Sequence, residues 1–168
     1  MSDDELVALA ERLQGICVGR GLTVAVAESC TGGLVAAAIT AVPGSSSYFL
    51  GGVVAYADAA KVGLLGVPAE TLGAHGAVSA QVARAMASGV QSRLEASLAA
   101  SVTGIAGPAG GTDQKPVGLT YVAVADALGA EVRRQVWTGD RESNRIASAR
   151  LVFECLIDHA ERQPGAGT

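Results

Sequence analysis

The order of apolar and polar residues along the chain separates helices from strands. At the N-terminus, Ser2 and Glu5 have the spacing of a capping box, and the residues that follow predict a helix ending at about Gly19. The apolar residues that keep this helical spacing are Leu6, Leu13, Ile16 and Cys17. Short apolar or alternating runs predict strands at 22–27, 48–56, 98–103, 117–125 and 131–138. Further helices are predicted at 32–41, 58–65, 79–95 and 143–162.

Glycine, proline and capping residues mark where these elements begin and end. Gly51 and Gly52 interrupt the strand at 48–56, which predicts a β-bulge or a close approach of the backbone to a ligand. Asp58 and Ser79 are predicted to cap the helices that they open. Loops or turns are predicted at 42–47, 66–76, 104–116 and 126–129, the last of these joining two strands as a hairpin.

Helices and strands alternate in the first half of the chain, and the hairpin follows in the second half. This order predicts an α/β fold in which a mixed sheet lies between layers of helices. The length of 168 residues fits one domain, which we place at residues 1–162, with a flexible tail at 163–168.

The composition excludes several classes of protein. Hydrophobic residues make up 49% of the chain and charged residues 17%, which is typical of a buried sheet covered by helices and not of a disordered chain. A net charge of −4 argues against nucleic acid or an anionic membrane as the main partner. No apolar run approaches the roughly 18 residues of a membrane span, and the acidic start is unlike a signal peptide. The three cysteines form no CxxC pair and the two histidines lack metal-ligand spacing, so we expect a cytoplasmic protein without a metal site.

A candidate nucleophile stands where the apolar run at 22–27 gives way to a helix rich in alanine. Ser29 lies at this junction, outside the carboxyl end of a predicted strand, where open α/β sheets place their sites. The free amides of the following turn, Thr31, Gly32 and Gly33, would meet the oxyanion that an attack by Ser29 creates. The alternative is that Ser29 and Thr31 serve only as N-cap residues of the helix.

Tyr56 and Lys61 lie between the next strand and the next helix, at a sheet edge comparable with that of Ser29. A lysine that is partly removed from water beside a serine can lose its proton and act as a general base. A tyrosine hydroxyl can relay this proton or donate to an oxyanion. The alternative is a solvated lysine and a tyrosine packed at the rim of the sheet.

Two further segments are suited to binding an anion or a sugar. The loop after the strand at 98–103 presents the hydroxyl of Thr103, and glycines such as Gly104 and Gly107 let the backbone approach a phosphate or a ribose. Arg141 and Arg145 share one face of the last helix near its start, where they are suited to a phosphate or a carboxylate. The alternatives are a surface loop and two solvated charges.

Eight short motifs occur in the same order in the chain and in a known family. They are AESCTGG (27–33), VPGSS (42–46), GGVVAY and a lysine (51–61), GVPAETL (66–72), HGAVS (75–79), TGIAGP (103–108), KPVG (115–118) and GDR (139–141). With these motifs the chain, from about Glu5 to Ala160, resembles the family of the CinA C-terminal domain, which includes the nicotinamide-nucleotide amidohydrolases (NMN deamidases). Two departures are Asp58, where the family commonly has asparagine, and Ala109, where it commonly has glycine. Asp58 adds a negative charge that favours the protonated form of Lys61.

The resemblance implies a three-layer α/β/α sandwich with a mixed, mostly parallel sheet. It implies hydrolysis of the carboxamide of nicotinamide mononucleotide (NMN) to nicotinate mononucleotide and ammonia, without a metal or other cofactor. Ser29 is implied as the nucleophile, Tyr56 and Lys61 as its activating partners, and Thr103 as a pocket residue. Ser46 matches another serine of the family and is the reserve candidate for the nucleophile. Many members carry this domain behind a second domain, and this chain is expected to be the domain alone.

The resulting hypothesis is an NMN amidohydrolase. Lys61 takes the proton of Ser29 directly or through Tyr56, and the amides of the turn at 31–33 hold the oxyanion. The loop at 104–111 and either Arg141 or Arg145 hold the ribose and the phosphate. Two alternatives stay open: a non-catalytic nucleotide-binding or partner-binding module, and an amidase with another substrate. A homo-oligomer is compatible with the sequence.

Overall fold

The computed structural model describes residues 3–165, which form five strands and six α-helices in this part of the chain. Ser2 of the predicted capping box and residues 166–168 of the predicted tail lie outside the described residues. The elements are α1 (Asp3–Arg20), β1 (Val24–Glu28), α2 (Leu34–Thr40), β2 (Phe49–Val54), α3 (Asp58–Leu65), α4 (Ala69–His75), α5 (Ala80–Leu94), β3 (Leu98–Gly104), β4 (Leu119–Asp126), β5 (Gly129–Val136) and α6 (Arg141–Arg162).

The five strands form one sheet in the order β2-β1-β3-β4-β5. Strand β1 pairs in parallel with β2 and β3, whereas β4 runs antiparallel to β3 and to β5. Four of the five strands therefore share one direction, and the predicted α/β class with a mixed, mostly parallel sheet is confirmed. Within the described residues, no helix is long and apolar enough to cross a membrane.

The side chains of β1 alternate between the two faces of the sheet, and the two faces carry residues of different size. Val24 and Val26 pack in the cluster that includes α1, α2 and α6, whereas Ala25 and Ala27 pack with residues of α5. The small residues on the second face let α5 lie close to the sheet. Gly89 of α5 also approaches the carbonyl oxygen of Leu65, which a Cβ atom at position 89 would meet at 1.9 Å.

The glycine pair in the second strand has the structural effect that its sequence predicted. The pairing of β1 with β2 shifts register between Val24 and Ala25, where Gly51 has a φ of 155°. A Cβ atom on Gly52 would lie 2.9 Å from Cγ2 of Val26, so a larger residue would push β2 away from β1. The irregularity is therefore a bulge at an edge strand.

Three predicted boundaries need correction. Helix α4 (Ala69–His75) occupies most of the stretch that was expected to be a loop, because its Ala-Glu-Thr-Leu start favours a helix and one internal glycine is tolerated. Asp58 does not cap α3, since Ala57 is the N-cap residue and Asp58 is the first helical residue. Helix α2 begins at Leu34, after Gly32 and Gly33 in left-handed conformations. The prediction for Ser79 is confirmed, because its side chain accepts a hydrogen bond from the Val82 amide and caps α5.

Candidate active site

The carboxyl ends of β1, β2 and β3 meet at one edge of the sheet and carry the predicted catalytic residues. Ser29 directly follows β1, Tyr56 follows β2 by two residues, and Thr103 lies at the end of β3. A cavity of about 220 Å³ opens between these strand ends and α3. Its walls are formed by Ser29, Cys30, Tyr56, Asp58, Lys61, Ala77, Val78, Thr103, Gly104, Ala106 and Arg141.

Ser29 and Lys61 are joined by a hydrogen bond of 3.1 Å between Oγ and Nζ. The Lys61 ammonium nitrogen also lies 3.0 Å from the carbonyl oxygen of Ala55 and 3.1 Å from that of Tyr56. A protonated lysine would donate to all three oxygens. A neutral lysine would donate its two N–H groups to the two carbonyls and accept the hydroxyl proton of Ser29 on its lone pair. The two carbonyls thus orient the amine so that its remaining N–H, or its lone pair when it is neutral, faces Ser29.

Burial favours the neutral form of the Lys61 amine. The side chain is only 1% exposed, and this removal from water lowers its pKa below the ordinary value of a lysine. The negative charge of Asp58, one helical turn earlier in α3, opposes the shift and raises the pKa. Because desolvation is the larger effect, the neutral amine that a general base requires becomes more accessible.

Tyr56 lies at the mouth of the cavity, with 61% of its surface exposed. Its hydroxyl accepts a hydrogen bond of 3.2 Å from Arg141, which also donates to the carbonyl oxygen of Gly107 at 2.8 Å. In the described part of the chain, the hydroxyl is bonded to Arg141 and not to Ser29 or Lys61. Of the two predicted routes for the proton, the structure therefore has the contact needed for direct transfer from Ser29 to Lys61 and not the contacts needed for a relay through the Tyr56 hydroxyl.

Thr103 and Gly104 close the wall of the cavity beneath Ser29. The Thr103 hydroxyl donates to the carbonyl oxygen of Ala77 at 2.9 Å and ties β3 to the segment before α5. A Cβ atom on Gly104 would lie 3.2 Å from Sγ of Cys30, so glycine leaves room for this thiol. Burial raises the pKa of Cys30 to about 12, and its thiol is therefore neutral and a weak nucleophile.

The turn after Ser29 differs from its expected placement. The Gly32 amide donates to the carbonyl oxygen of Ser29 at 3.0 Å, and the Thr31 hydroxyl donates to the Glu28 carboxylate at 2.6 Å. Glu28 is 1% exposed and also accepts from the amides of Val35 and Ala36 at 3.0 and 3.1 Å. The Glu28 carboxylate thus binds both the turn and the start of α2. Thr31, Gly32 and Gly33 do not line the cavity.

Three other predicted site residues, Ser46, Arg145 and Gly107, do not line the cavity. Ser46 precedes β2, at the opposite edge of the parallel strands from Ser29, and borders a different cavity beside α1. Arg145 donates to the carbonyl oxygens of Cys30 and Thr31 at 3.2 and 2.9 Å. The carbonyl oxygen of Gly107 accepts a hydrogen bond from Arg141. Of the two predicted arginines, Arg141 lines the cavity.

Sequence reasoning missed the small apolar residues of the cavity wall and a buried asparagine near it. Ala77, Val78 and Ala106 form walls of the cavity, and small apolar residues in loops carry no signal of such a role. Asn144 is buried and donates to the carbonyl oxygen of Ala106 while it accepts from the Gly139 amide, both at 3.0 Å. The sequence signal that could have identified Asn144 is its position one turn into α6, beside Arg141 and Arg145. Among residues 3–165, no group of three or more His, Cys, Asp or Glu side chains is arranged to hold a metal ion.

The chain is similar to known proteins over most of its length. A family model described as the CinA C-terminal domain matches residues 6–160. A CinA-like protein of Geobacter sulfurreducens is 55% identical over 137 residues, covering 82% of this chain and 33% of that protein. A CinA-like protein of Citrifermentans bemidjiense is 54% identical over 146 residues, covering 87% of this chain and 35% of that protein. The chain thus spans about a third of the length of these curated relatives.

Solved structures are similar over nearly their whole length. A competence/damage inducible protein from Agrobacterium tumefaciens has a TM-score of 0.89 and 42% identity, covering 94% of this chain and 96% of that one. A competence-damaged protein (CinA) superfamily protein from Klebsiella pneumoniae has a TM-score of 0.90 and 34% identity, covering 94% of this chain and 99% of that one.

Proposed function

The chain belongs to the family of the CinA C-terminal domain, and on this premise we propose that it is an amidohydrolase that converts NMN to nicotinate mononucleotide and ammonia. The observation that carries the proposal is the buried contact of 3.1 Å between Lys61 and Ser29 at the carboxyl edge of the sheet. A serine beside a desolvated lysine is a nucleophile with its general base.

The reaction proceeds in two stages. Ser29 Oγ attacks the carboxamide carbon, and Lys61 Nζ takes the hydroxyl proton. Lys61 then gives this proton to the amide nitrogen, the C–N bond breaks, and ammonia leaves an acyl ester on Ser29. A water molecule attacks the ester, and Lys61 accepts one of its protons and returns it to Ser29 as the ester bond breaks. The carboxylic acid that forms loses its remaining proton to solvent and is released as the nicotinate carboxylate.

The size of the cavity favours a particular placement of the nucleotide. Pockets for whole small molecules commonly measure about 300–1,000 Å³, and this cavity measures about 220 Å³. The nicotinamide ring would enter beside Ser29, and the ribose and phosphate would extend over the open rim. Arg141 lies at this rim, where its guanidinium would exchange the Tyr56 hydroxyl for a phosphate oxygen.

The deciding experiment measures ammonia release from NMN, with nicotinamide and NAD as control substrates. We expect Ser29→Ala to abolish release and Cys30→Ala to remain largely active, because only the first removes the hydroxyl bound to Lys61. Both side chains line the same cavity, so Cys30→Ala is a matched control for packing. An inactive Cys30→Ala beside an active Ser29→Ala would refute the assignment of the nucleophile. A wild-type protein that binds NMN without releasing ammonia would favour the nucleotide-binding module.

A further inference from the structure

Arg145 contacts the turn that carries the nucleophile although it lies 115 residues away in sequence. Its Nε donates to the carbonyl oxygen of Cys30 at 3.2 Å and its Nη2 to that of Thr31 at 2.9 Å. The side chain is half-buried, and a Cβ atom on Gly32 would lie 3.4 Å from the same Nη2. The guanidinium thus packs directly on the backbone of the turn that follows Ser29.

These two contacts fix the orientation of two peptide planes. In a trans peptide the carbonyl and the following N–H point in opposite directions. Holding the Cys30 carbonyl therefore turns the Thr31 amide away from Arg145, and holding the Thr31 carbonyl does the same for the Gly32 amide. The Gly32 amide indeed points back to the carbonyl oxygen of Ser29, at 3.0 Å.

The turn also contains amide donors that no protein oxygen uses. Within residues 3–165, the amides of Cys30 and Thr31 donate to no oxygen atom, whereas the Gly32 amide is occupied by Ser29. An amide that directly follows a nucleophile and donates to no protein oxygen is suited to receive an oxyanion. Cys30 lines the cavity, so this end of the turn is open to a substrate carbonyl.

The amides at the start of α2 cannot stabilise the oxyanion in the same way. The Glu28 carboxylate accepts from the amides of Val35 and Ala36, so the positive end of the helix dipole already faces a buried negative charge. A carboxylate near the turn would disfavour an oxyanion, and the guanidinium of Arg145 is the opposite charge in contact with the same turn. Both charges act on the Cys30 thiol, since Glu28 raises its pKa and Arg145 lowers it. Hydrogen bonds to a charged donor also polarise the peptide groups that they hold.

We infer that Arg145 is a positioning residue, which holds the backbone turn after Ser29 and so keeps the Cys30 amide at the wall of the cavity for the oxyanion, and that it is not a phosphate ligand. The inference rests on the proposed function insofar as Ser29 attacks a carbonyl carbon. It assigns different roles to two arginines that are four residues apart on α6: Arg141 at the rim of the cavity and Arg145 behind the nucleophile.

The test compares Arg145→Ala, Arg145→Lys and Arg141→Ala, with Arg150→Ala as control. Arg150 is exposed on the same helix and pairs with Glu154. The first readout is kcat and KM for NMN and for nicotinamide riboside, which lacks the phosphate. The second is the rate at which a fluorophosphonate probe labels Ser29, followed by intact mass. Thermal unfolding identifies any variant that fails to fold.

For Arg145→Ala we expect kcat to fall by at least about tenfold and at most by the roughly 10²–10³-fold that loss of an oxyanion donor itself causes. We expect KM to change less than threefold for both substrates, and labelling of Ser29 to slow at least tenfold. Arg145→Lys should be intermediate, because an ammonium cannot hold both carbonyls in the geometry of a guanidinium. It also serves as the test variant if Arg145→Ala does not fold. Arg150→Ala should match the wild type in all readouts.

A rise in KM for NMN alone, with unchanged kcat and labelling, would make Arg145 a phosphate ligand and overturn the inference. Unchanged kinetics and labelling in both Arg145 variants would overturn it as well. If the wild type does not hydrolyse NMN but labels at Ser29, and Arg145→Ala labels at least tenfold more slowly, the proposed substrate is wrong and the role of Arg145 stands. A wild type without hydrolysis or labelling overturns both.

Discussion

Replacing Lys61 by arginine tests whether the amine acts as a base or only as a positive charge. Lys61→Arg keeps the charge and much of the length, but a guanidinium does not lose its proton in proteins. We therefore expect Lys61→Arg to be nearly as inactive as Lys61→Ala. Lys115→Arg is the matched control, because Lys115 is the second of the two lysines in the chain and does not line the cavity.

The size of the effect follows from the contact in the structure. The Nζ–Oγ distance of 3.1 Å is within reach for direct proton transfer, and a positioned base contributes roughly 10²–10⁴ to the rate. This range corresponds to about 2.7–5.4 kcal/mol of activation free energy at about 1.36 kcal/mol for each factor of ten. Arginine adds a second loss, since the planar guanidinium is larger than the space around a side chain that is 1% exposed.

The pH dependence of the wild type gives an independent check. Because burial lowers the pKa of Lys61, the amine is neutral above this lowered pKa and becomes protonated as the pH falls through it. The rate should therefore decline on acidification. Lys61→Ala has no such group and should lose this dependence.

Steady-state ammonia release from NMN at several pH values measures these effects. Thermal unfolding of each variant separates lost chemistry from lost structure, because the carbonyls of Ala55 and Tyr56 lose their donor when the amine is removed. A kcat for Lys61→Arg within a few-fold of the wild type would refute the general-base role and leave Lys61 as an electrostatic anchor.

Three further predictions concern the rim, the charge beside the base and the packing of the helices. Asp58→Asn should move the acid decline of the rate to lower pH, because the carboxylate raises the pKa of Lys61; an unchanged or raised midpoint would contradict this. Arg141→Ala should raise KM for NMN roughly ten- to a hundredfold and KM for nicotinamide riboside much less, because a charge-assisted contact contributes about 1.5–3 kcal/mol; equal losses would remove Arg141 from the phosphate site. Gly89→Ala should lower the free energy of unfolding by about 1–3 kcal/mol or more in urea denaturation, because its Cβ would collide with the Leu65 carbonyl oxygen. Gly15→Ala, in open space on α1, should leave stability unchanged or raise it by up to about 1 kcal/mol, and equal losses for both glycines would refute the packing argument.

The elements of the fold were largely predictable from the chain because their signals are local. The apolar run of β1, the glycine pair in β2 and the cap at Ser79 each reflect the composition of one element or the conformation of one residue. Parallel strands bring their carboxyl ends to one edge, so the positions of Ser29 and Tyr56 after two such strands were enough to predict their proximity. Helix α4 was missed because Gly73 within it and Gly66 and Gly76 on either side outweighed a short helical signal.

The site was predictable only in the residues that stand at these strand ends. The sequence by itself determined a sheet between helices and a serine and a lysine at one edge of it, since element type and strand direction depend on neighbouring residues. Only the tertiary structure decided that Arg141 lines the cavity whereas Arg145 binds the turn after Ser29. It also decided that Glu28 binds the amides at the start of α2 and that Ser46 lies at the opposite edge of the sheet from Ser29. A long side chain reaches partners more than a hundred residues away, and which backbone carbonyl it meets depends on how the elements pack rather than on any local pattern.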